Sequence, residues 1–183
     1  MSKRKILLLS DDLRMHSGVA TMSRELVLGT IHHFDWVQMG GAVKHPDKNG
    51  VADMSADCNK ILDRKDCYLK VYPVNEYGTE DLLFQVMAIE KPVAILHFTD
   101  PRFWIWLYAI EHQIRSKIPI TYLTIWDDLP YPMWNKPYYK SCDALFSISK
   151  QTNNIIKQVL GPENCCSLDG NFDKNGNIIK ETI

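Results

Sequence analysis

Two polar segments of the chain contain side chains whose types and spacing could recognise a ligand. The first runs from Ser10 to Ala20, where two aspartates follow an apolar run and Gly18 precedes a helical pattern. Free N–H groups at the start of such a helix, beside a glycine that lets the backbone approach closely, favour an anion such as phosphate. A single glycine can also simply make the turn. The Gly-x-Gly-x-x-Gly fingerprint is absent, which disfavours a nicotinamide-dependent dehydrogenase.

The second segment, residues 124–134, combines adjacent acids with aromatic rings. Asp127 and Asp128 directly follow Trp126, and a second tryptophan ends the segment. Carboxylates accept hydrogen bonds from hydroxyl groups and aromatic faces cover the apolar face of a sugar, so the cluster favours carbohydrate binding. The alternative is that one aspartate caps a helix near Asn135 while the tryptophans pack inside the fold.

Strand and helix patterns alternate along the chain and place both segments where strands end. We predict strands at 5–10, 34–39, 68–74, 93–98, 118–126 and 143–148, and helices at 19–32, 80–90, 102–117 and 149–160. Ser149 is the expected N-cap of the last helix, and residues 45–66 show no clear pattern. The predicted fold class is α/β, a Rossmann-like, mostly parallel sheet with helices on both faces. Ligands of such sheets bind at the carboxyl ends of the strands.

Composition limits the classes of partner. The chain has 183 residues, 45% of them hydrophobic, which suits one sizeable core. Its formal net charge of -1 predicts no binding to nucleic acid. Five cysteines, two of them adjacent, favour a reducing compartment. No stretch has the length of a signal-peptide core or a membrane span, so we expect a cytoplasmic protein without a transmembrane segment.

Three segments follow one another in an order that is shared with a known family. Residues 18–26 begin a helix after a glycine-containing loop, Trp126-Asp127 ends a later strand, and residues 139–152 combine an aspartate, a strand and a serine that begins a helix. Over Lys5 to Leu160 the chain resembles the N-terminal domain of retaining GT-B glycosyltransferases of the large family 4 type.

The resemblance implies a division of the chain and a reaction. Residues 1–160 would be the Rossmann-like acceptor-side domain, and residues 161–183 would lead toward a second, donor-binding domain. The implied reaction moves a sugar from a nucleotide-sugar to an acceptor hydroxyl with retained anomeric configuration, without a metal or other cofactor. The Glu-x7-Glu pair of the family's second domain is not found in the sequence. We therefore expect no catalysis by this chain alone, and the partner would be a separate donor-binding domain or chain.

The resemblance also assigns roles to individual residues. Asp127 would be the catalytic residue of the acceptor cleft, which Asp128 and Trp126 would line. The loop around Gly18 would approach the donor diphosphate. The candidates for stabilising the charge of that diphosphate are the basic side chains at positions 14 and 102, Arg14 and Arg102. Tryptophan occupies position 126 where the family usually has histidine, which keeps a non-catalytic carbohydrate-binding remnant as an alternative.

A phospho-acceptor receiver domain of the signalling type is another alternative. The chain has the order of acidic, hydroxyl and basic residues typical of receivers: Asp11, Asp12, Asp100, Thr124 and Lys150. The separation of the acidic pair from the middle aspartate is about twice what a compact receiver needs, and a proline crowds the candidate acceptor.

Metal sites are weakly indicated. Residues 171–182 have part of an EF-hand spacing but lack the acids at its two ends. The cysteine pair at 165–166 has no Cys-x2-Cys partner, and His32 and His33 would point to different sides of a regular element. His97 lies in a buried-strand pattern, which favours a satisfied core histidine over a catalytic base.

Overall fold

Residues 3–43 and 50–162, which the computed structural model describes, form a seven-stranded sheet with helices on both faces. The strands are β1 (Arg4–Asp11), β2 (Phe34–Val43), β3 (Ala52–Asp53), β4 (Leu69–Asn75), β5 (Ala94–Phe98), β6 (Ile120–Thr124) and β7 (Ala144–Ser147). The helices are α1 (Gly18–Thr30), α2 (Ser55–Leu62), α3 (Glu80–Glu90), α4 (Ile105–Ala109), α5 (Glu111–Arg115), α6 (Lys136–Lys140) and α7 (Lys150–Leu160). Two 3-10 turns, at Pro101–Trp104 and Met133–Asn135, precede α4 and α6. The predicted Rossmann-like α/β fold is confirmed.

The direction in which the chain adds strands to the sheet changes once. Across the sheet the order is β3-β4-β2-β1-β5-β6-β7, and all pairs are parallel except β3 with β4. The chain therefore builds outward from β1 through β2 to β4, then returns to the other side of β1 and builds outward from β5 to β7. The switch point lies between β1 and β5, and ligands of such folds bind at the carboxyl edge of the sheet beside it.

The central strand is buried on both faces, as its continuous apolar run predicts. Leu7, Leu8 and Leu9 are fully buried. Leu7 and Leu9 belong to a core that also contains residues of α3, α4 and α5, whereas Leu8 packs in a second core with residues of α1 and α2. Successive side chains of a strand point to opposite faces, so this one strand joins the two helical layers.

The predicted helix at 102–117 is wrong as a single element. The chain makes a 3-10 turn at Pro101–Trp104 and then two short helices that are separated at Ile110, whose φ of −109° and ψ of 13° are not helical. The break lets Trp104, Leu107 and Ile114 all pack into one core. Periodicity alone does not show such a break.

Helix α2 lies in the stretch for which no pattern was found. It begins after Asp53, whose side chain accepts a hydrogen bond from the N–H of Ser55 at 3.0 Å, and it ends at Asp63 in the left-handed conformation. Its eight residues bury only Cys58. A short helix with one buried position leaves almost no periodic signal.

Three other predictions concern membrane-spanning helices, the two adjacent histidines and the C-terminal segment. None of the helices within the described ranges is long and apolar enough to span a membrane. His32 and His33 lie in a turn and not in a regular element, so the expectation about a regular element does not apply to them; their ring centroids are 3.9 Å apart. The EF-hand-like segment at 171–182, the cysteine pair at 165–166 and nearly all of the predicted exit segment lie outside the described residues.

Candidate functional site

The candidate site lies at the carboxyl edge of the sheet, around the switch point. Asp11 ends β1, and Thr99 and Asp100 follow β5 on the neighbouring side. The predicted acid and aromatic cluster follows β6, which pairs with β5. The sheet register therefore places the ends of three parallel strands side by side, and both segments singled out in the sequence belong to one edge.

The loop after β1 is organised around the carboxylate of Asp11. Ser17 is the N-cap of α1: its hydroxyl accepts the N–H of Ala20 at 3.0 Å and donates to Asp11 at 2.9 Å. Asp11 is only 8% exposed, and no basic side chain pairs with it among the described residues. A carboxylate beside a helix N-terminus is stabilised by the helix dipole. The positive end of α1 therefore already has an anion beside it.

Arg14 and Gly18 are the residues of this loop that were predicted to approach a phosphate. In the structure Arg14 is paired with a carboxylate, and Gly18 is not in a crowded position. The guanidinium of Arg14 forms a bidentate ion pair with the buried carboxylate of Asp12, and its closest nitrogen lies 2.7 Å from a carboxylate oxygen. Gly18 is the exposed first residue of α1, and a Cβ atom placed on it would meet no other atom within 4 Å. Gly18 is therefore not required by crowding in this structure.

The glycines that close packing does require lie on β2. A Cβ atom on Gly40 would lie 2.9 Å from Asp12, and one on Gly41 would lie 2.5 Å from the carbonyl oxygen of Glu76. The backbone N–H of Asp12 also donates to the carbonyl of Gly41 at 3.1 Å. The two glycines let the loops after β1 and β4 approach the end of β2 and close one wall of the site.

A buried polar network under these loops was not predicted from the sequence. The side-chain amide of Gln38, fully buried on β2, donates to the hydroxyl of Ser10 at 2.7 Å and to the carbonyl of Asp11 at 2.8 Å, and its oxygen accepts the N–H of Leu13 at 3.1 Å. All four polar groups are thereby satisfied inside the fold. The available signal was a glutamine between Val37 and Met39 in the apolar part of the strand.

Tyr77 joins the β1 side of the site to the β5 side, and sequence reasoning missed it. Its hydroxyl donates to Asp11 at 3.4 Å, and its ring stacks on that of Phe103 with centroids 4.9 Å apart. Burial raises the pKa of Tyr77 to about 12, helped by the negative charges of Asp11 and Asp100. Tyr77 therefore remains a neutral hydroxyl. Its position just after β4 was the signal, because that strand also ends at the carboxyl edge.

Arg102 is the basic group at the centre of the site. Its guanidinium binds both oxygens of the Asp100 carboxylate, at 2.5 to 3.1 Å, and lies 6.0 Å from the ring centroid of Trp126. Burial opposes ionisation of Asp100, but the hydrogen bonds from Arg102 outweigh it and hold the pKa of the carboxyl below its ordinary value. The structure thus brings together Arg102 and Trp126, two residues that the sequence analysis proposed separately.

The acids after Trp126 are exposed. Asp128 accepts the N–H of Leu129 at 2.7 Å through its side chain, and its carbonyl accepts the indole N–H of Trp126 at 2.9 Å. The carbonyl of Asp127 accepts the side-chain amide of Gln151 at 2.8 Å, which ties the loop to α7. Neither acid caps a helix near residue 135, where no side-chain cap is formed. The helix-capping alternative is therefore wrong.

The two tryptophans of this loop pack against each other at the surface. Their ring centroids are 5.6 Å apart in an edge-to-face arrangement, with Trp126 half-buried and Trp134 exposed. Exposed aromatic rings held in place beside hydroxyl-binding groups are the pattern expected of a carbohydrate site. Trp126 also packs against the core formed by Tyr122, Tyr139 and residues of α7, so the alternative in which the tryptophans pack inside holds in part for Trp126 and is wrong for Trp134.

His97 lies beneath the site and is fully buried, as predicted. Its Nδ1 shares a hydrogen bond with the hydroxyl of Tyr108 at 2.7 Å, and its ring stacks on Tyr122 at 4.9 Å. Burial lowers the pKa of His97 to about 3, so the ring is neutral near pH 7. Nε2 has no hydrogen-bond partner within the described part of the chain. The histidine is a core residue that is satisfied at one nitrogen.

The receiver alternative loses support at the acidic residues. Both oxygens of Asp100 are bound to Arg102, and Asp12 is paired with Arg14. Within residues 3–43 and 50–162, no three His, Cys, Asp or Glu side chains form a group that could hold a metal ion. A phosphoryl group arriving at Asp100 would therefore have to displace the guanidinium of Arg102.

No family model matches the chain. A comparison with curated proteins also finds no significant match. The glycosyltransferase resemblance therefore rests on the motifs and their places in the fold, and it stays a prediction.

Proposed function

We propose that this chain is the acceptor-side domain of a GT-B glycosyltransferase and that it binds a hydroxylated, sugar-containing acceptor at the carboxyl edge of β5 and β6. The observation that supports this most is the position of Arg102 between the carboxylate of Asp100 and the ring of Trp126. A guanidinium donates hydrogen bonds to the oxygens of vicinal hydroxyls, and a carboxylate accepts hydrogen bonds from such hydroxyls. An indole face covers the C–H face of a sugar ring.

The charges of the site support an uncharged acceptor more than a phosphate group. The helix N-terminus of α1 lies beside Asp11, and the guanidinium groups of Arg14 and Arg102 each face a carboxylate. An incoming phosphate would meet these carboxylates as well as the cations, whereas hydroxyl groups can donate to the carboxylates. We therefore place the donor diphosphate mainly on a second domain, with the loop around Gly18 closing over it.

Asp127 is proposed as the group that accepts the hydrogen bond of the reacting hydroxyl. It is exposed at the mouth of the site, and its backbone is held by Gln151. The chain alone is expected to bind acceptor without transferring sugar. A non-catalytic carbohydrate-binding protein remains the second candidate, since tryptophan occupies position 126 where the family usually has histidine.

A saccharide-binding experiment tests the proposal. Saturation-transfer NMR with a panel of neutral mono- and disaccharides should detect binding to the wild-type chain. Trp126→Ala should weaken that binding about tenfold or more. The matched control is Phe146→Ala, which removes an exposed aromatic side chain from β7, 50% exposed, without touching the proposed site. Absence of saccharide binding, or equal effects of the two variants, would contradict the proposed acceptor site.

A nucleotide-sugar titration tests the placement of the donor. We expect UDP-glucose and GDP-mannose to bind this chain with a Kd of about 1 mM or weaker. Micromolar binding by calorimetry would mean that the donor site lies on this domain after all. The same titration of Arg14→Ala would then show whether the loop after β1 is responsible.

A further inference from the structure

The candidate site has a second aromatic surface, formed by Phe103 stacked on Tyr77. Phe103 directly follows Arg102 and is 54% exposed. Its ring is stacked on that of Tyr77, with centroids 4.9 Å apart and planes 4° from parallel. Tyr77 in turn meets the buried ring of Trp104 edge to face at 5.4 Å. One face of Phe103 is thus backed by the core while the ring remains open to solvent.

The first aromatic surface, Trp126, lies near the same arginine. Trp126 is 6.0 Å from the guanidinium of Arg102 and is held by Trp134 and by its own hydrogen bond to the carbonyl of Asp128. The guanidinium–carboxylate pair therefore has one held aromatic ring 6.0 Å from its guanidinium and a second held ring on the residue that follows Arg102 in the chain. Aromatic rings that are fixed by their neighbours bind without the entropy cost of ordering a mobile side chain.

We propose that the acceptor contains at least two sugar rings, with one ring on Trp126, the next on Phe103, and hydroxyls near the linkage bound by Arg102 and Asp100. This inference rests on the proposed function, because it extends the same acceptor site. A single ring occupies one surface only. Phe103 is then a specificity-determining residue, which decides between one-ring and two-ring acceptors and leaves the affinity for one ring unchanged.

The test compares one-ring and two-ring probes of the same sugar. Glucose with maltose and cellobiose, mannose with α-1,2-mannobiose, and galactose with lactose are titrated against the wild-type chain by NMR. At least one two-ring probe should bind about tenfold tighter than its one-ring counterpart. Phe103→Ala should remove most of this preference and leave one-ring binding within about twofold, whereas Trp126→Ala should weaken both.

Control variants keep the result interpretable. Phe103→Leu retains apolar bulk but not a flat face, and it should behave like Phe103→Ala. Phe146→Ala should leave both affinities unchanged, and circular dichroism verifies the fold of each variant. Equal binding of one-ring and two-ring probes by the wild type, or equal losses for both in Phe103→Ala, would overturn the two-ring inference while leaving the proposed function standing. Absence of any saccharide binding would overturn both.

Discussion

Replacing Glu90 with glutamine perturbs a buried ionic network at the end of the sheet remote from the site. Glu90 ends α3 and is 4% exposed. The hydroxyls of Tyr68 and Tyr72 donate to its carboxylate, each at 2.7 Å, and the ammonium of Lys5 lies at 2.7 Å. Lys70 is farther away, at 3.7 Å. Each donor forms a charge-assisted hydrogen bond or ion pair that the neutral amide of glutamine cannot fully replace.

The pKa of Glu90 sets the size of the effect. Burial alone would raise it, but the hydrogen bonds from Lys5, Tyr72 and Tyr68 outweigh burial and lower the pKa from 4.5 to about 2. At about 1.4 kcal/mol for each pH unit between the unfolded and folded values, the ionised carboxylate contributes roughly 3 kcal/mol to the free energy of unfolding. Breaking a buried ion pair typically costs about 3–5 kcal/mol, so the two estimates agree. For a chain of this length the expected fall in Tm is about 6–12 °C.

The pH dependence has a definite sign. Because the folded pKa lies below the unfolded one, the contribution is complete above pH 4.5 and is lost as the pH falls toward 2. Glu90→Gln should therefore unfold at a lower temperature than wild type at pH 7, and the gap should narrow on acidification. Thermal unfolding followed by circular dichroism at several pH values measures both. Glu25→Gln, on the exposed side of α1, is the control and should shift Tm by about 2 °C or less. A gap below 2 °C at pH 7, or one that stays constant down to pH 2.5, would refute the reasoning.

Three further predictions concern the site and its support. Gly18→Ala should be neutral or stabilising by up to about 1 kcal/mol, whereas Gly41→Ala should destabilise the fold by about 1–3 kcal/mol because its Cβ meets the carbonyl of Glu76. Urea unfolding measures the stability of both variants, and equal effects would contradict the packing argument. Ser17→Ala should lower the free energy of unfolding by about 1 kcal/mol through loss of the α1 cap. An unchanged urea midpoint would show that the cap does not contribute to stability. The pKa of His97 falls from 6.5 to about 3 in the fold, so the free energy of unfolding should decline as the pH drops below 6.5. His97→Phe should flatten that decline between pH 6.5 and 4.5, while costing about 1–3 kcal/mol at pH 7 because the hydroxyl of Tyr108 loses its partner. An unaltered pH profile of stability would exclude this role.

Much of the fold could be predicted because it depends on local pattern. The apolar run of β1 is buried on both faces, and the predicted helix at 80–90 has the bounds that the structure gives α3. Ser149 caps α7 as expected, since its hydroxyl accepts the N–H of Thr152 at 3.1 Å. These features are set within one or two turns of chain, so the residues themselves report them.

The candidate site could be predicted only in part, because its geometry joins distant segments. The sequence alone indicated that polar residues gather at the strand ends, whereas the pairing of β5 with β6, which brings Arg102 near Trp126, came from the structure. It did not determine that Phe103 stacks on Tyr77, or that Arg14 is engaged by Asp12. Those contacts arise from the register of the parallel strands and from the close packing of loops around Gly40 and Gly41. Tertiary structure therefore decided which groups meet at the carboxyl edge of the sheet, because pairing between strands far apart in sequence has no local signature.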